Sequence, residues 1–215
     1  MSEADVPSAA LHAMPIFPLS GVVLFPGALL PLHVFEPRYR QMLADCLATH
    51  SCMAMAFVVG EGDKDDLAGT PNIARVAGAG VIVHHAPLPD GRSNVVLQGR
   101  ARVSLEELPF IAPYRRARAR LLTEVASPVL AVERTGLHAA AAAVAASERK
   151  TEFELPVGIT PGAAADLCAH QLVADPIARQ RALEELDVAA RVRLVTSALA
   201  EQMGLAKREF RGKPD

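Results

Sequence analysis

The stretch LFPGALLPLHVFEPRY, from Leu24 to Tyr39, places three prolines and one glycine in an otherwise apolar run. Pro26-Gly27 is typical of a turn. Pro31 predicts an edge position or a bulge for the strand that contains it, because proline donates no hydrogen bond to a sheet. Glu36 followed by Pro37 predicts a helix start, with Glu36 at the N-cap or N′ position and Pro37 at the first helical position. The stretch therefore predicts a turn, an irregular strand and a helix start.

Short apolar runs separated by glycine and proline fill the chain up to about residue 122 and predict a mostly β front half. Gly78 and Gly80 predict a bend or bulge. Pro89-Asp90-Gly91 predicts a hairpin turn, and Gly99 predicts a break between two strands. The predicted strands cover residues 14–17, 22–25, 28–34, 53–59, 73–86, 94–98, 101–105 and 115–122. Six or more short strands with tight turns predict a small closed or nearly closed barrel.

The helix that begins at Pro37 is the one clear helix of the front half. Its apolar side chains recur at helical spacing and predict a single buried stripe. The stripe consists of Tyr39, Met42, Leu43, Cys46, Leu47 and His50.

The chain changes character near residue 123, where long alanine-rich segments replace the short β-branched runs. Residues 128–147 predict a first helix. The pairs Thr160-Pro161 and Asp175-Pro176, and the single residue Asp187, predict the caps of three more. The predicted fold is therefore α+β. A small, mostly antiparallel β pseudobarrel with one inserted helix covers residues 13–122, and a four-helix subdomain covers residues 123–205. Residues 1–12 and 206–215 are predicted to be flexible termini.

Composition limits the classes of function. The chain has 215 residues, 51% of them apolar, and a formal net charge of −2. This balance argues against a general affinity for nucleic acid or for anionic membranes. The three cysteines form no C-x-x-C pair, which favours a reducing compartment. The N-terminus lacks a basic start, and no apolar run is long enough to cross a bilayer. We expect a cytoplasmic protein without a membrane segment.

Motifs for catalysis or metal binding are weak in this sequence. It contains no phosphate-binding loop, G-x-S-x-G elbow or H-E-x-x-H motif. Cys46, His50 and Cys52 are close in sequence, but we expect them to be core residues, because Cys46 lies in the buried stripe. His84 and His85 point to opposite faces of a strand and do not share an ion. We expect no catalytic residue, no metal and no cofactor.

A row of arginines is the most distinctive charged feature. In a strand, one face carries Tyr114, Arg116, Arg118 and Arg120, and the other carries Arg115, Ala117, Ala119 and Leu121. Two interpretations are open. The guanidinium groups bind phosphate, carboxylate or an acidic peptide, or the row is a solvated face that pairs with nearby acids. Those acids are Glu106, Glu107 and Glu124.

Several stretches in order and in register resemble the N-terminal, substrate-recognition domain of Lon proteases, a PUA-like pseudobarrel. The resemblance covers roughly residues 13–205. It is carried in the front half by residues 15–19, 23–27 and 30–39, by Gly69-Thr70 with residues 73–76, and by residues 88–91 and 98–103. It is carried more weakly by residues 179–191 in the back half.

The resemblance implies a stand-alone binding module, because the chain ends before an ATPase or a Ser/Lys protease domain begins. We expect a non-enzymatic module that binds unfolded or exposed polypeptide, with a substrate-recognition or adaptor role in proteolysis or protein quality control. The expected mode is burial of apolar side chains between barrel and bundle, with main-chain pairing at a strand edge. The candidate contact residues are His33, Arg38, Tyr39, Arg116, Arg118 and Arg120. The alternative is RNA binding by the arginine row, since PUA-like barrels also occur as RNA-binding modules.

Overall fold

The computed structural model describes residues 6–60, 71–147 and 153–211, with side chains as far as residue 204. The chain divides into two compact units, Met1–Leu122 and Thr123–Asp215. The first contains β1 (Met14–Leu19), β2 (Leu29–Val34), α1 (Pro37–Ala48), β3 (Cys52–Phe57), β4 (Val76–Pro87), β5 (Ser93–Glu107) and β6 (Arg116–Leu121). The second contains α2 (Ala131–Ser147), α3 (Pro161–Gln171), α4 (Pro176–Glu184) and α5 (Val188–Arg211). We call them the barrel unit and the helical unit.

The six strands form a single sheet that closes on itself. The strand order is β2-β5-β4-β3-β1-β6, and β6 also pairs with β5, so that five strands form a ring. Only β1 and β3 pair in parallel, and all other named pairings are antiparallel. Strand β2 pairs with β5 at the end of the order, which confirms the edge position predicted from Pro31. The predicted α+β fold with a mostly antiparallel barrel and one inserted helix is confirmed.

The segment 22–25 was predicted as a strand, and this prediction is wrong. It has no ladder partner among the described residues, although Leu24 and Phe25 are fully buried. Its backbone instead lies against the sheet, where a Cβ at Gly78 would overlap the carbonyl oxygen of Leu24. A Cβ at Gly99 would likewise overlap the carbonyl oxygen of Phe25. The two glycines are therefore needed for the close approach of a crossing chain.

The sequence predicted a break between two strands at Gly99, and this prediction is also wrong. β5 continues through it, and the pairing shifts from Gly80 opposite Gly99 to Ala79 opposite Ala101. The shift at Gly80 confirms the predicted bulge. Gly99 exchanges hydrogen bonds with the turn after the crossing segment: its N–H donates to Ala28 O (2.9 Å), and its carbonyl accepts from Gly27 N (2.9 Å). A bulge thus keeps β5 continuous while its backbone holds a neighbouring loop.

Helix α1 begins as the sequence predicts, with Glu36 at the N-cap and Pro37 at the first position. Four residues of the predicted stripe, Tyr39, Met42, Leu43 and Cys46, are buried. The prediction is wrong for the rest of the stripe. Leu47 is 38% exposed, and His50 lies beyond the end of the helix at Ala48.

Both predicted flexible termini are partly ordered. Residues Ser8–His12 form a 3-10 helix, and Val6 and Ala10 pack in the barrel core beside residues of β1. Apolar burial of these small side chains explains the order. At the other end, α5 continues to Arg211, so residues 206–211 are helical. Residues 1–5 and 212–215 lie outside the described part, as do Gly69-Thr70 of the family resemblance.

The described residues of the helical unit form four helices, the first predicted from the alanine-rich run and the other three from their caps. Thr160 Oγ1 accepts from Ala163 N (3.4 Å), and Asp175 accepts from the backbone of Ile177 and Ala178. Asp187 Oδ1 accepts from Ala190 N (2.7 Å). The first helix begins at Ala131, three residues later than predicted. Within the described residues, no helix is both long and apolar enough to cross a bilayer.

One feature of the helical unit was not predicted. The Arg191 side chain of α5 is fully buried and forms ion pairs with Glu124 and with Asp166, whose Oδ1 lies 3.1 Å from its Nε. It also donates to the carbonyl of Glu185 (2.8 Å). Such a buried charge is tolerated only when acids and carbonyls surround it. Glu124 is therefore a structural partner of Arg191.

Candidate functional site

A cleft lies between one face of α1 and the hairpin that joins β4 to β5. Its volume is about 500 Å³, within the range of ~300–1,000 Å³ typical of small-ligand sites. We call it the α1 cleft. It is lined by Pro37, Arg40, Gln41, Leu43, Ala44 and Leu47 from the helix, and by His85, Pro87, Gly91, Arg92 and Ser93 from the hairpin.

The helical wall of the cleft follows from the spacing of its residues. Side chains three and four positions apart lie on one face of a helix, so that Arg40, Ala44 and Leu47 form a continuous row. The opposite wall is held by the hairpin turn, in which Leu88 N donates to Arg92 O (2.8 Å) and Gly91 N donates to Leu88 O (3.0 Å). The backbone φ of Gly91 is +82°, a conformation that favours glycine.

Arg40 is the central cation of the cleft. Its side chain is exposed, and it lies so close to Gly91 that a Cβ there would overlap the guanidinium. Across the described residues, Arg40 forms neither an ion pair nor a side-chain hydrogen bond. The glycine thus lets a free guanidinium rest on the turn.

The second arginine of the cleft is already paired. Arg92 Nε donates to Asp90 Oδ2 (2.7 Å), and this hydrogen bond lowers the pKa of Asp90 to about 2. On the same wall, His85 Nε2 lies 3.1 Å from Ser93 Oγ. No carboxylate is found among the described residues that line the cleft. The cleft is therefore positively charged beside an apolar surface of leucine, alanine and proline, an arrangement suited to an anionic group with an attached apolar group.

Two of the predicted contact residues lie near the cleft but are engaged in local interactions. His33 is exposed on β2, where its Nδ1 donates to Asn94 Oδ1 (2.7 Å) and its Nε2 accepts from Arg92 Nη1 (3.4 Å). Arg38 pairs with Glu36 (2.9 Å) and lies over the ring of Tyr39. His33 thus contacts the hairpin through Arg92, whereas Arg38 forms its ion pair at the start of α1.

Tyr39 was predicted both as a member of the buried stripe and as a contact residue, and the structure places it with the stripe. Only 6% of the residue is exposed. Its ring packs on Phe17 with a centroid distance of 4.3 Å, and burial raises the pKa of its hydroxyl. Apolar packing of the ring accounts for this placement. Tyr39 therefore belongs to the barrel core.

The predicted alternation along β6 is confirmed, with Ala117 and Ala119 buried and Arg118 and Arg120 exposed. We call Arg116, Arg118 and Arg120 the β6 row. Arg118 pairs with Glu106 (3.3 Å), as the solvated-face interpretation predicts. In the described part of the chain, Arg120 has no such partner.

Tyr114 and Glu107 were both expected beside the β6 row, and each forms a hydrogen bond or ion pair with a residue outside the row. Tyr114 is buried, and its hydroxyl donates to Asp45 Oδ2 on α1 (2.7 Å). Burial, reinforced by this hydrogen bond, raises the pKa of Tyr114 to about 12. Glu107 pairs with Arg115 (2.7 Å) on the other face of the strand. Arg116 is half-buried, with its guanidinium 6.0 Å from the centroid of the Tyr114 ring, so that Arg118 and Arg120 are the exposed arginines of the β6 row.

The cysteines and histidines considered for metal binding lie apart or in the core. Cys46 Sγ lies 3.5 Å from the carbonyl of Cys52, both residues are fully buried, and burial raises the pKa of each thiol to about 12. His85 lines the α1 cleft, whereas His84 lies in a different depression beside His33. The described residues contain no group of three potential metal ligands.

Sequence reasoning missed the residues that form the α1 cleft, above all Arg40, Leu47 and Arg92. Arg40 is adjacent in sequence to a residue of the predicted buried stripe, and its position beside that stripe was an available signal, whereas Leu47 was predicted within the stripe. The hairpin turn at Gly91 was also predicted. What no local pattern shows is that this turn folds back onto α1.

The comparisons with known proteins identify the family. Residues 13–201 match the model of the ATP-dependent protease La (LON) substrate-binding domain. This chain belongs to that family. It is 35% identical over 210 residues to a Lon protease of Roseiflexus castenholzii, covering 92% of this chain and 25% of that protein. It is 30% identical to Lon protease 2 of Sorangium cellulosum, covering 94% of this chain and 26% of that protein. The chain thus spans about a quarter of the length of these relatives.

Solved structures show the same fold. The crystal structure of a Lon N-terminal domain protein from Xanthomonas campestris matches with a TM-score of 0.64 at 20% identity, over 86% of this chain and 97% of that one. The N-terminal domain of a Mycobacterium avium complex Lon protease matches with a TM-score of 0.64 at 14% identity, over 87% of this chain and 98% of that one. At these identities the likeness is one of fold, and the predicted resemblance to the Lon N-terminal domain is confirmed.

Proposed function

We propose that this chain is a non-enzymatic polypeptide-binding domain that recognises exposed segments of substrate proteins for proteolysis in the cytoplasm. The family match supports a substrate-binding role, and the α1 cleft is the observation that carries the choice of site. Its exposed leucine and its unpaired arginine are the groups that a flexible polypeptide segment can cover. The domain would present the bound segment to proteolytic machinery, within one polypeptide or as an adaptor.

The edge of β2 is a less suitable surface for main-chain pairing than the sequence suggested. Pro31 lies in the middle of this edge strand, opposite Val96 of β5. A proline in a sheet usually faces its missing donor away from the neighbouring strand, so we expect the outer edge of β2 to lack a central donor. Proline at an edge typically discourages the addition of another strand. We therefore place the polypeptide contact in the α1 cleft.

The test is a titration of the protein with three fluorescent probes: an unstructured apolar peptide, a polar peptide of equal length and charge, and a random single-stranded RNA. We expect saturable binding of the apolar peptide alone. RNA binding by three arginines would instead weaken with salt, with a slope of log K against log salt near about −2. Binding of RNA without binding of either peptide would overturn the proposal in favour of the β6 row.

A pair of matched variants locates the contact. Ala44→Glu places a carboxylate in the cleft beside Arg40, whereas Ala48→Glu changes an exposed residue of the same helix that does not line the cleft. We expect Ala44→Glu to weaken peptide binding by about tenfold or more, because it both fills the cleft and neutralises Arg40, and Ala48→Glu to leave it unchanged. Equal effects of the two variants would contradict the assignment of the site.

A further inference from the structure

We propose that the α1 cleft recognises the free C-terminus of a polypeptide whose last side chain is apolar. This inference rests on the proposed function and specifies the substrate class of the same site. It is carried by three observations: a free guanidinium, an adjoining apolar surface, and the absence of a carboxylate among the described residues that line the cleft.

The guanidinium of Arg40 supplies the anion-binding group. A planar guanidinium can donate two parallel hydrogen bonds to a carboxylate. Arg40 has no acid of its own among the described residues, so no internal pair has to break before it binds an anion. Its contact with Gly91 restricts where the group can lie. Asp90, the acid nearest in sequence to Gly91, is already bound by Arg92.

The apolar side chains lie at the right spacing from this cation. Ala44, which is exposed, follows Arg40 by four residues, which places its Cβ atom at about 5–6 Å from that of Arg40, whereas the side chain of Leu43 is buried in the core. Leu47 extends the same surface and is 38% exposed. A ligand with an anion and an apolar group only a few ångströms apart therefore fits this part of the helix.

A chain end carries these two groups on a single residue, since the α-carboxylate and the last side chain share one Cα. An internal Asp or Glu does not offer the same arrangement in an extended segment. Its immediate neighbours point to the opposite side, and the next side chain on its own side is about 7 Å along the chain. The α-carboxylate of an apolar C-terminal residue is thus the anion that the cleft fits best.

The experiment compares two peptides of identical sequence that end in leucine, one with a free C-terminal acid and one with a C-terminal amide. Titration calorimetry at pH 7.5 measures both against the whole chain. We expect the amide to bind about tenfold more weakly or worse, because it removes the charge-assisted hydrogen bonds to Arg40. The comparison needs no altered protein, so a failure to fold cannot obscure it.

Two variants then test whether Arg40 causes the difference in affinity between the acid and the amide. We expect Arg40→Ala to bind the acid as weakly as the amide, and Arg120→Ala, which removes an exposed arginine of the β6 row, to keep the full difference. Thermal unfolding of both variants checks that the fold is intact. An acid–amide difference that survives in Arg40→Ala would overturn the inference.

A third probe separates the inference from the proposed function: a peptide that carries the same apolar segment internally, with polar residues at both ends. Equal binding of acid and amide, or binding of the internal segment alone, would overturn the inference and leave the proposed function intact. Failure of all three peptides to bind would overturn both.

Discussion

The barrel unit presents arginines in two settings that differ in their surroundings. In the α1 cleft, Arg40 lies in a concavity beside Leu47, with no acid among the described lining residues. Along the β6 row, Arg118 pairs with Glu106 on an exposed strand face. A charge that is already paired and solvated gains little from a new partner, whereas an unpaired charge beside an apolar surface gains from a ligand that covers both. The difference teaches that the number of arginines is a poorer guide to a binding site than their surroundings.

The largest expected difference between the two regions is the effect of charge reversal. In Arg40→Glu, the attraction for a peptide carboxylate becomes a repulsion, and we expect the affinity for an apolar C-terminal peptide to fall by about a hundredfold. The matched variant Arg120→Glu should change it by less than about twofold, because that residue does not line the cleft. Calorimetric titration measures both. Comparable losses in the two variants would remove the distinction between the regions.

The next effect concerns the contact that joins the two regions. Tyr114 precedes β6, and its buried hydroxyl donates to Asp45 on α1. We expect Tyr114→Phe to lower the free energy of unfolding by about 1–2 kcal/mol, because it removes a hydrogen bond to a charged acceptor. Tyr39→Phe is the control, since the Tyr39 hydroxyl has no hydrogen bond with a described residue. We expect it to cost less than ~0.5 kcal/mol in urea unfolding at pH 7.

The same tyrosine predicts a pH dependence. The pKa of Tyr114 is raised in the folded state to about 12 from an ordinary value of 10.0, so that folding favours the protonated hydroxyl. Its contribution to stability is present below pH 10 and is lost as the pH rises through about 12. We therefore expect the difference in unfolding free energy between the wild type and Tyr114→Phe to shrink between pH 10 and 12. A constant difference would show that the hydroxyl does not titrate in this way.

A smaller effect is expected from the apolar side chains of the two regions. Leu47 lies in the cleft and is 38% exposed, and Leu121 lies at the end of β6 and is 45% exposed. Covering the free part of Leu47 with a ligand is worth about 1 kcal/mol, so Leu47→Ala should weaken peptide binding by about three- to fivefold. Leu121→Ala should leave it unchanged. Titration of both variants with the same peptide measures the two losses of affinity. Equal losses would contradict the assignment of the binding site to the α1 cleft.

The smallest effect is expected from the ion pair of the β6 row. The side chains of Arg118 and Glu106 are 53% and 63% exposed, and such pairs contribute little because solvent and salt screen them. We expect Arg118→Ala to change the thermal midpoint by less than about 2 °C and to leave peptide affinity unaltered. A larger shift would mean that the row has a structural role that its exposure does not suggest.

Local patterns predicted the parts of the fold that depend on neighbouring residues. The turn at Pro26-Gly27, the helix start at Glu36-Pro37 and the alternation along β6 each follow from residues close in sequence. The edge position of Pro31 follows from its missing donor. Local rules failed where a tertiary contact decides: the segment 22–25 looks like a strand, but its backbone crosses glycines of two other strands.

The candidate site was predicted less well, for the same reason. Tyr39 was both a member of the predicted buried stripe and a predicted contact residue, because its amphipathic side chain suits either role. The burial of Arg191 was not predicted either, because only the fold brings acids from other segments around it. The α1 cleft requires Gly91 to lie on Arg40, two residues far apart in the chain. The sequence shows which side chains could bind a ligand, but the fold determines which of them lie close together.

The most direct test of the central claim, that polypeptide binds in the α1 cleft and not on the β6 row, is an amide NMR titration of the whole chain with the leucine-terminated peptide. We predict chemical-shift changes in residues 38–48 and 88–93, with residues 116–121 unchanged. Changes confined to residues 116–121, with α1 and the hairpin unaffected, would contradict the account.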